Sequence, residues 1–308
     1  MSERTSIILD VDTGTDDALA LAFAVNSPHI DLVAVTTVAG NVGVEKTTAN
    51  SLAVLDLLGA SDIPVHRGAS RPLVRPHEDA AWIHDEGGLG GAKIAMSNRS
   101  VAADRGPAAI VRLANARPGA LTVVAVGPLT NLAIALNVEP RLPELLRALV
   151  IMGGAFKQAG NTTPAAEYNI WVDPEAANQV FAAPFREIVA VGLDVTERVA
   201  LTRGDWDAVA GVPNLSPGAG LFAEVGKHLF TRRGETRFHL HDPLATAIAL
   251  DRSLAGYEDA EVIVDTEGDD RGRTRIAGPG VTKVAVDVDE ERAVHMFRQV
   301  LGIPASDA

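Results

Sequence analysis

The sequence predicts an α/β fold: an open, doubly wound, mostly parallel sheet with helices on both faces and a small β-rich C-terminal extension. Three observations carry that prediction. Runs of Val, Ile, Leu and Ala recur that are apolar at consecutive positions, the mark of strands buried on both faces. Patterns of helical period separate these runs, as the crossovers of a parallel sheet require. Four aspartates, Asp10, Asp12, Asp16 and Asp17, crowd where the first strand ends and a helix begins. In open α/β sheets that is the end at which ligands bind.

The elements follow in order. SIILDV is a strand and leads into an Ala/Leu helix from about Asp17; DLVAVTTV is the next strand. GVEKTTANSLAVLDLLG is a helix with Gly59 as its stop, because a left-handed terminal residue favours glycine. IPVH, ALTVVAV, ALVIMGG and EIVAVGLD read as strands; GPAAIVRLANARPG, PLTNLAIALNVEP and DPEAANQVFAA read as helices. Residues 67–100, rich in Gly, Pro and His, read as a mobile loop beside a site. After residue 253 short strands AEVIVDTEG, GRTRIAG and TKVAVDVD precede a closing helix, EERAVHMFRQVLG. Nothing marks a boundary, so residues 1–308 form a single domain.

Composition narrows the function classes. The chain carries a net charge of −13, which argues against nucleic acid or an anionic membrane as partner. It has no cysteine, which removes disulfides, thiolate zinc sites and cysteine nucleophiles. Its N-terminal apolar run is too short for a signal peptide, and no stretch approaches the roughly 18 apolar residues of a membrane span. The expectation is a soluble cytoplasmic protein.

Helix capping accounts for one or two of the four aspartates, since Asp satisfies orphan amides at a helix start. It does not account for Asp10 and Asp12 on an apolar strand. Carboxylates packed this closely repel and raise one another's pKa, and a hard divalent cation with oxygen ligands resolves the conflict. Other strand ends offer partners: Asn41 after the second strand, and the segments that follow Val126 and Met152. HLHDPLATAIAL adds His241 and Asp242 at a helix start.

Six segments in order, DVDTGTDDALAL, TTVAGN, GPLTNLA, MGGA, AEYNIWVDPEAA and HDPLA, resemble the nucleoside hydrolases, the inosine–uridine-preferring type among them. The resemblance runs from about residue 7 to residue 250, and the DxDxGxDDAxAL opening is its most specific part. It implies a Ca²⁺ ion held by Asp12, Asp17, Asp242 and the carbonyl of Val126. It implies a ribonucleoside substrate contacted by Asp16, Asn41, Met152, Asn161, Glu167, Asn169 and Asp242. Asp12 would accept the proton of the attacking water, while Asp10 orients the loop from behind. His241 would protonate the departing base, with His84 in WIHDEGG as a second base-side histidine and His239 as a competitor. Trp82 and Trp171 are candidates to stack on the base, and relatives assemble as homodimers or homotetramers.

Some relatives place tyrosines about 12 and 16 residues before the HDP histidine; here Leu229 and Val225 stand there. That departure tilts the expected substrate toward pyrimidine ribosides. Another N-riboside, such as nicotinamide riboside or a modified nucleoside, is the alternative within the fold. Two rivals lie outside it. A haloacid-dehalogenase-type phosphatase fits DVDTG only with Gly14 where Thr or Val is expected. A non-catalytic nucleoside or sugar binder would not need every catalytic position to carry a competent group.

Overall fold

Strand β1, Thr5–Val11, forms at the sheet's centre because consecutive apolar side chains can be hidden only where both faces are covered. Ile7, Leu9 and Val11 enter one buried core while Ile8 enters the other. The computed structural model describes residues 4–80 and 85–304. Strands β2 (Ile30–Thr37), β3 (Val65–Arg67), β4 (Thr122–Ala125), β5 (Ala148–Met152) and β6 (Ile188–Val191) alternate with helices. Two more strands, β9 (Ala255–Val264) and β10 (Thr274–Val288), complete an eight-stranded sheet of order β3-β2-β1-β4-β5-β6-β10-β9. Every pairing is parallel except β9 with β10.

The chain winds outward from β1 to β3, then returns to β4 on the other side of β1 and winds to β6. The order therefore reverses between β1 and β4, and a crevice opens beyond their carboxyl ends. That crevice lies where Asp12 leaves β1 and Val126 leaves β4.

Most expected elements form near their expected limits. Helix α1 spans Thr15–Asn26, and α2, Val44–Leu57, stops before Gly59, whose φ of +72° is the left-handed terminus anticipated for it. The C-terminal strands differ from expectation. GRTRIAG and TKVAVDVD are parts of one strand, β10, which passes through the Gly-Pro-Gly that reads as a break. A Cβ at Gly280 would lie 2.3 Å from the backbone nitrogen of Glu261, so glycine there permits close approach of β9. Because β10 pairs with β6, these strands continue the main sheet.

Residues 200–240 give no clear periodicity. They fold into β7 (Ala200–Thr202) antiparallel to β8 (Arg237–His239), helices Arg203–Asp207 and Pro217–Lys227, and a π-helical turn His228–Arg232. The long loop after β3 is tied down at several points. The Leu73 N–H donates to Asp173, Arg75 pairs with Glu175, and the Ala80 N–H donates to the Asn41 carbonyl. Beyond the undescribed stretch, Leu89 is buried and Arg99 pairs with Asp56. His84 and Trp82 lie outside the described residues. No helix among the described residues is long and apolar enough to cross a membrane.

Candidate active site

Asp12 sits just past β1 and is 1% exposed. Its Oδ2 accepts the Asn41 backbone N–H at 2.6 Å, and its Oδ1 is buried without a hydrogen-bond partner. Glycines make room for it: a Cβ at Gly40 would fall 2.1 Å from Oδ2, and one at Gly127 would fall 2.7 Å from Oδ1. Asp17 is the third residue of α1. It accepts N–H groups from Asp12 (3.0 Å) and Gly14 (2.8 Å) and the Asn41 amide (3.2 Å). Capping is thus part of its role, and Oδ1, which accepts only the Asp12 N–H, retains a further lone pair.

Asp242 enters from the helix His241–Leu250 and is buried beside them. Asp16, Asp17 and Asp242 each present a carboxylate oxygen, and these lie within 4.8 Å of one another. Asp16, expected on the sugar, therefore belongs to the tightest acidic triad, and its buried Oδ1 has no hydrogen-bond partner. Asp12, expected as a ligand, stands next to that triad and outside it.

Burial and mutual repulsion set the electrostatics. The carboxyls of Asp12 and Asp242 are pushed well above the usual range, first by burial, then by Asp17 for Asp12 and by Asp16 for Asp242. Asp17 rises to about 7, through burial and then Asp16. Asp10 lies behind the cluster, accepting from the Thr36 hydroxyl and, at 2.7 Å, the Asn131 amide. Burial raises its pKa to about 6, and those two bonds hold it back from rising further. Asn131 also donates to the Thr37 carbonyl and accepts the Ala69 N–H, so GPLTN locks β2 and the following loop to β1.

A cavity of about 300 Å³ stands over this floor, within the range for small-molecule sites. Asp16, Asn41, Val126, Met152, Asn161, Glu167, Asn169, His241 and Asp242 all line it. The Asn169 amide donates to the carbonyls of Val126 (2.8 Å) and Met152 (3.2 Å), joining the ends of β4 and β5. Glu167 is buried and accepts N–H groups from Gly154, Asn169 and Ile170, starting the short helix Tyr168–Val172. Burial raises its pKa against those bonds. Asn161 is exposed and accepts the Tyr168 N–H at 3.0 Å.

Ala80, Tyr168, Leu229, Arg233, Arg237, Phe238 and His239 also line the cavity. Tyr168 escaped the sequence reading: its hydroxyl contacts the Gly40 and Glu78 carbonyls at 2.8 and 3.1 Å. The MGGA…AEYNIW segment carried that signal only as a neighbour of Glu167 and Asn169. Of the two positions where relatives have tyrosine, Leu229 faces the cavity and Val225 is buried in the core. His241 Nδ1 lies 2.8 Å from Thr196 Oγ1, and the His239 ring is 5.7 Å away, tilted by 30°. His239 is held below the usual histidine range by burial, then by Arg237. Trp171 is away from the cavity's lining, stacked under Arg271 at 4.0 Å.

The donor set is uniformly hard oxygen, and two of its buried oxygens, on Asp12 and Asp16, lack partners. A metal ion fits this cluster, because its charge relieves buried carboxylates that burial and mutual repulsion otherwise push toward protonation.

A family model described as inosine-uridine preferring nucleoside hydrolase matches residues 7–295. The chain belongs to this family. Like its relatives, this nucleoside hydrolase is an N-ribohydrolase, an enzyme that acts on N-glycosyl bonds of ribonucleosides. It is 40% identical over 307 residues to the non-specific ribonucleoside hydrolase RihC of Klebsiella pneumoniae subsp. pneumoniae, covering 97% of this chain and 99% of that protein. Among solved structures, the plant nucleoside hydrolase PpNRh1 matches with a TM-score of 0.91 at 34% identity, covering 97% and 99% of the two chains. The purine-preferring ribonucleoside hydrolase of Gardnerella vaginalis matches with a TM-score of 0.88 at 32% identity, covering 96% and 98%.

Proposed function

We propose that this nucleoside hydrolase cleaves ribonucleosides with a bound Ca²⁺ ion, and pyrimidine ribosides faster than purine ones. The observation that carries the ion is the buried carboxylate cluster with partnerless oxygens on Asp12 and Asp16. Asp12, Asp17, Asp242 and the Val126 carbonyl hold it. An irregular set of carboxylate and carbonyl oxygens suits Ca²⁺, whereas Mg²⁺ demands a compact octahedron and keeps several waters. When bound, the ion supplies positive charge that acidifies water and anchors a vicinal diol.

The chain's own groups do the rest. Asp12 takes the proton of the water that attacks the anomeric carbon. Asp16, Asn41, Met152, Asn161, Glu167, Asn169 and Asp242 hold the ribose, and the carboxylates among them favour an oxocarbenium-like sugar. His241 donates a proton to the departing base, with His84 as a second base-side group. The pyrimidine preference follows from Leu229 on the base-side wall and from a Tyr168 hydroxyl committed to main-chain carbonyls. The relatives are named non-specific in one case and purine-preferring in another, so the choice of base varies within the family. Assembly as a homodimer or homotetramer belongs to the same proposal and is checked by light scattering.

The test is a panel of uridine, cytidine, inosine and their 2′-deoxy forms, assayed for sugar release with and without chelator. Rapid cleavage of the ribosides, loss on chelation with recovery in Ca²⁺, and poor cleavage of the deoxy forms are expected. Full activity in chelator would sink the ion, and faster inosine than uridine turnover would sink the preference.

A further inference from the structure

Thr196 Oγ1 and His241 Nδ1 stand 2.8 Å apart although 45 positions separate them in sequence. Thr196 is fully buried at the end of the short helix Leu193–Thr196, directly beyond β6. The two-stranded sheet makes the meeting: Ala200 pairs with His239, and the Leu240 N–H donates to the Val199 carbonyl at 2.9 Å. These bonds draw the start of the helix His241–Leu250 against the end of the helix Leu193–Thr196.

An imidazole has a two-fold problem. Its χ2 torsion is broad, and a half-turn exchanges nitrogen for carbon on each edge of the ring. His241 lines the cavity, so this half-turn decides whether a nitrogen or a carbon meets a ligand there. A hydroxyl serves Nδ1 as donor or acceptor and so fixes which edge faces inward. Packing against the His239 ring limits sideways movement but does not tell nitrogen from carbon.

We propose that Thr196 is the positioning residue of His241, holding Nδ1 so that Nε2 addresses the departing base. This rests on the reading of His241 as the group that protonates that base. Thr196 is not among the residues that line the cavity, whereas His241 is, so it acts through the histidine.

The experiment compares Thr196→Val, which keeps the shape and removes the hydroxyl, with Thr196→Ser, which keeps the hydroxyl. In Thr196→Val, kcat on uridine should fall roughly tenfold, with KM and turnover of p-nitrophenyl riboside unchanged, since nitrophenolate leaves without a proton. Thr196→Ser should stay within about twofold of the parent on both substrates. ¹⁵N NMR of the imidazole gives a second readout, with the His241 signals assigned by their loss in His241→Asn. A hydrogen-bonded Nδ1 is expected in the parent and in Thr196→Ser, and a shift of its resonance toward that of a free ring nitrogen in Thr196→Val. Equal losses on both substrates, a serine variant as damaged as the valine one, or an unchanged Nδ1 resonance in Thr196→Val would each overturn the proposal. If the parent cleaves no nucleoside, the catalytic reading fails and the NMR comparison still decides the positioning. Should valine at this buried site unfold the chain, Thr196→Ala takes its place in the same measurements.

Discussion

The floor of the cavity is carried by strand ends and helix starts, whereas its base-side wall is carried by irregular chain. Asp12, Asn41, Val126 and Met152 stand at or just beyond the ends of β1, β2, β4 and β5, and Asp17 and Asp242 lie in the first turns of two helices. Ladders and helical bonds on every side fix these positions. Leu229 belongs to a single π-helical turn, Arg233 to a connection, and Phe238 and His239 to a strand of three residues. The contrast teaches a division of labour within one cavity. On the proposed function, ion and sugar chemistry would sit on the stiff framework, and choice of base would sit where side chains can change without disturbing the main sheet.

Substitutions can break or sharpen that contrast. On the floor, Asp12→Ala should lower kcat on the order of 10³-fold or more for every substrate, because proton acceptor and ion ligand vanish together. Calorimetry should show weakened Ca²⁺ binding in the same variant. A loss confined to some bases would mean that the floor also selects the base.

On the wall, His241→Ala should cost about 10²-fold on uridine and far less on p-nitrophenyl riboside. Equal losses on both would remove its role as proton donor.

Without ion, the floor should also impose a pH dependence on stability. Asp17 and Asp10 rise from 3.8 to about 7 and about 6, so the folded state binds their protons more tightly than the unfolded chain. The stabilisation is complete below about pH 4 and is lost as pH rises through 6 to 7. Bound Ca²⁺ reverses the sign of the charge problem. The gain in Tm on adding Ca²⁺ should therefore grow between pH 4 and pH 7, as scanning calorimetry can measure. A gain independent of pH would show that these carboxylates are not involved.

The smallest effect belongs to base selection. Leu229→Tyr should raise inosine turnover relative to uridine by roughly three- to tenfold and leave p-nitrophenyl riboside turnover unaltered. A matching change on all three substrates would place Leu229 on the framework side of the contrast.

The floor was legible because its residues cluster in short segments with fixed places in the parallel sheet. DVDTGTDD gave both the strand end and the acidic turn, and Gly59 marked its helix stop. That Asp17 and Asp242 share a site came from the family resemblance and from no local pattern, since Asp242 arrives from more than 200 positions away, and the closeness of Asp16 to both was seen only in the structure. Tyr168 and Thr196 were missed for the same reason: each acts through a partner remote in sequence. The continuous β10 strand was missed because Gly-Pro-Gly signals a turn unless a neighbouring backbone presses against it.

The sequence by itself determined the parallel sheet and the acidic turn at the end of β1, because hydrophobic period and turn chemistry act within a few residues. Only the tertiary structure decided the strand order, how close Asp16 stands to Asp17 and Asp242, which edge of His241 is held and which side chains line the cavity. Those outcomes depend on distances between segments far apart along the chain, and only the packed sheet and its irregular connections set such distances.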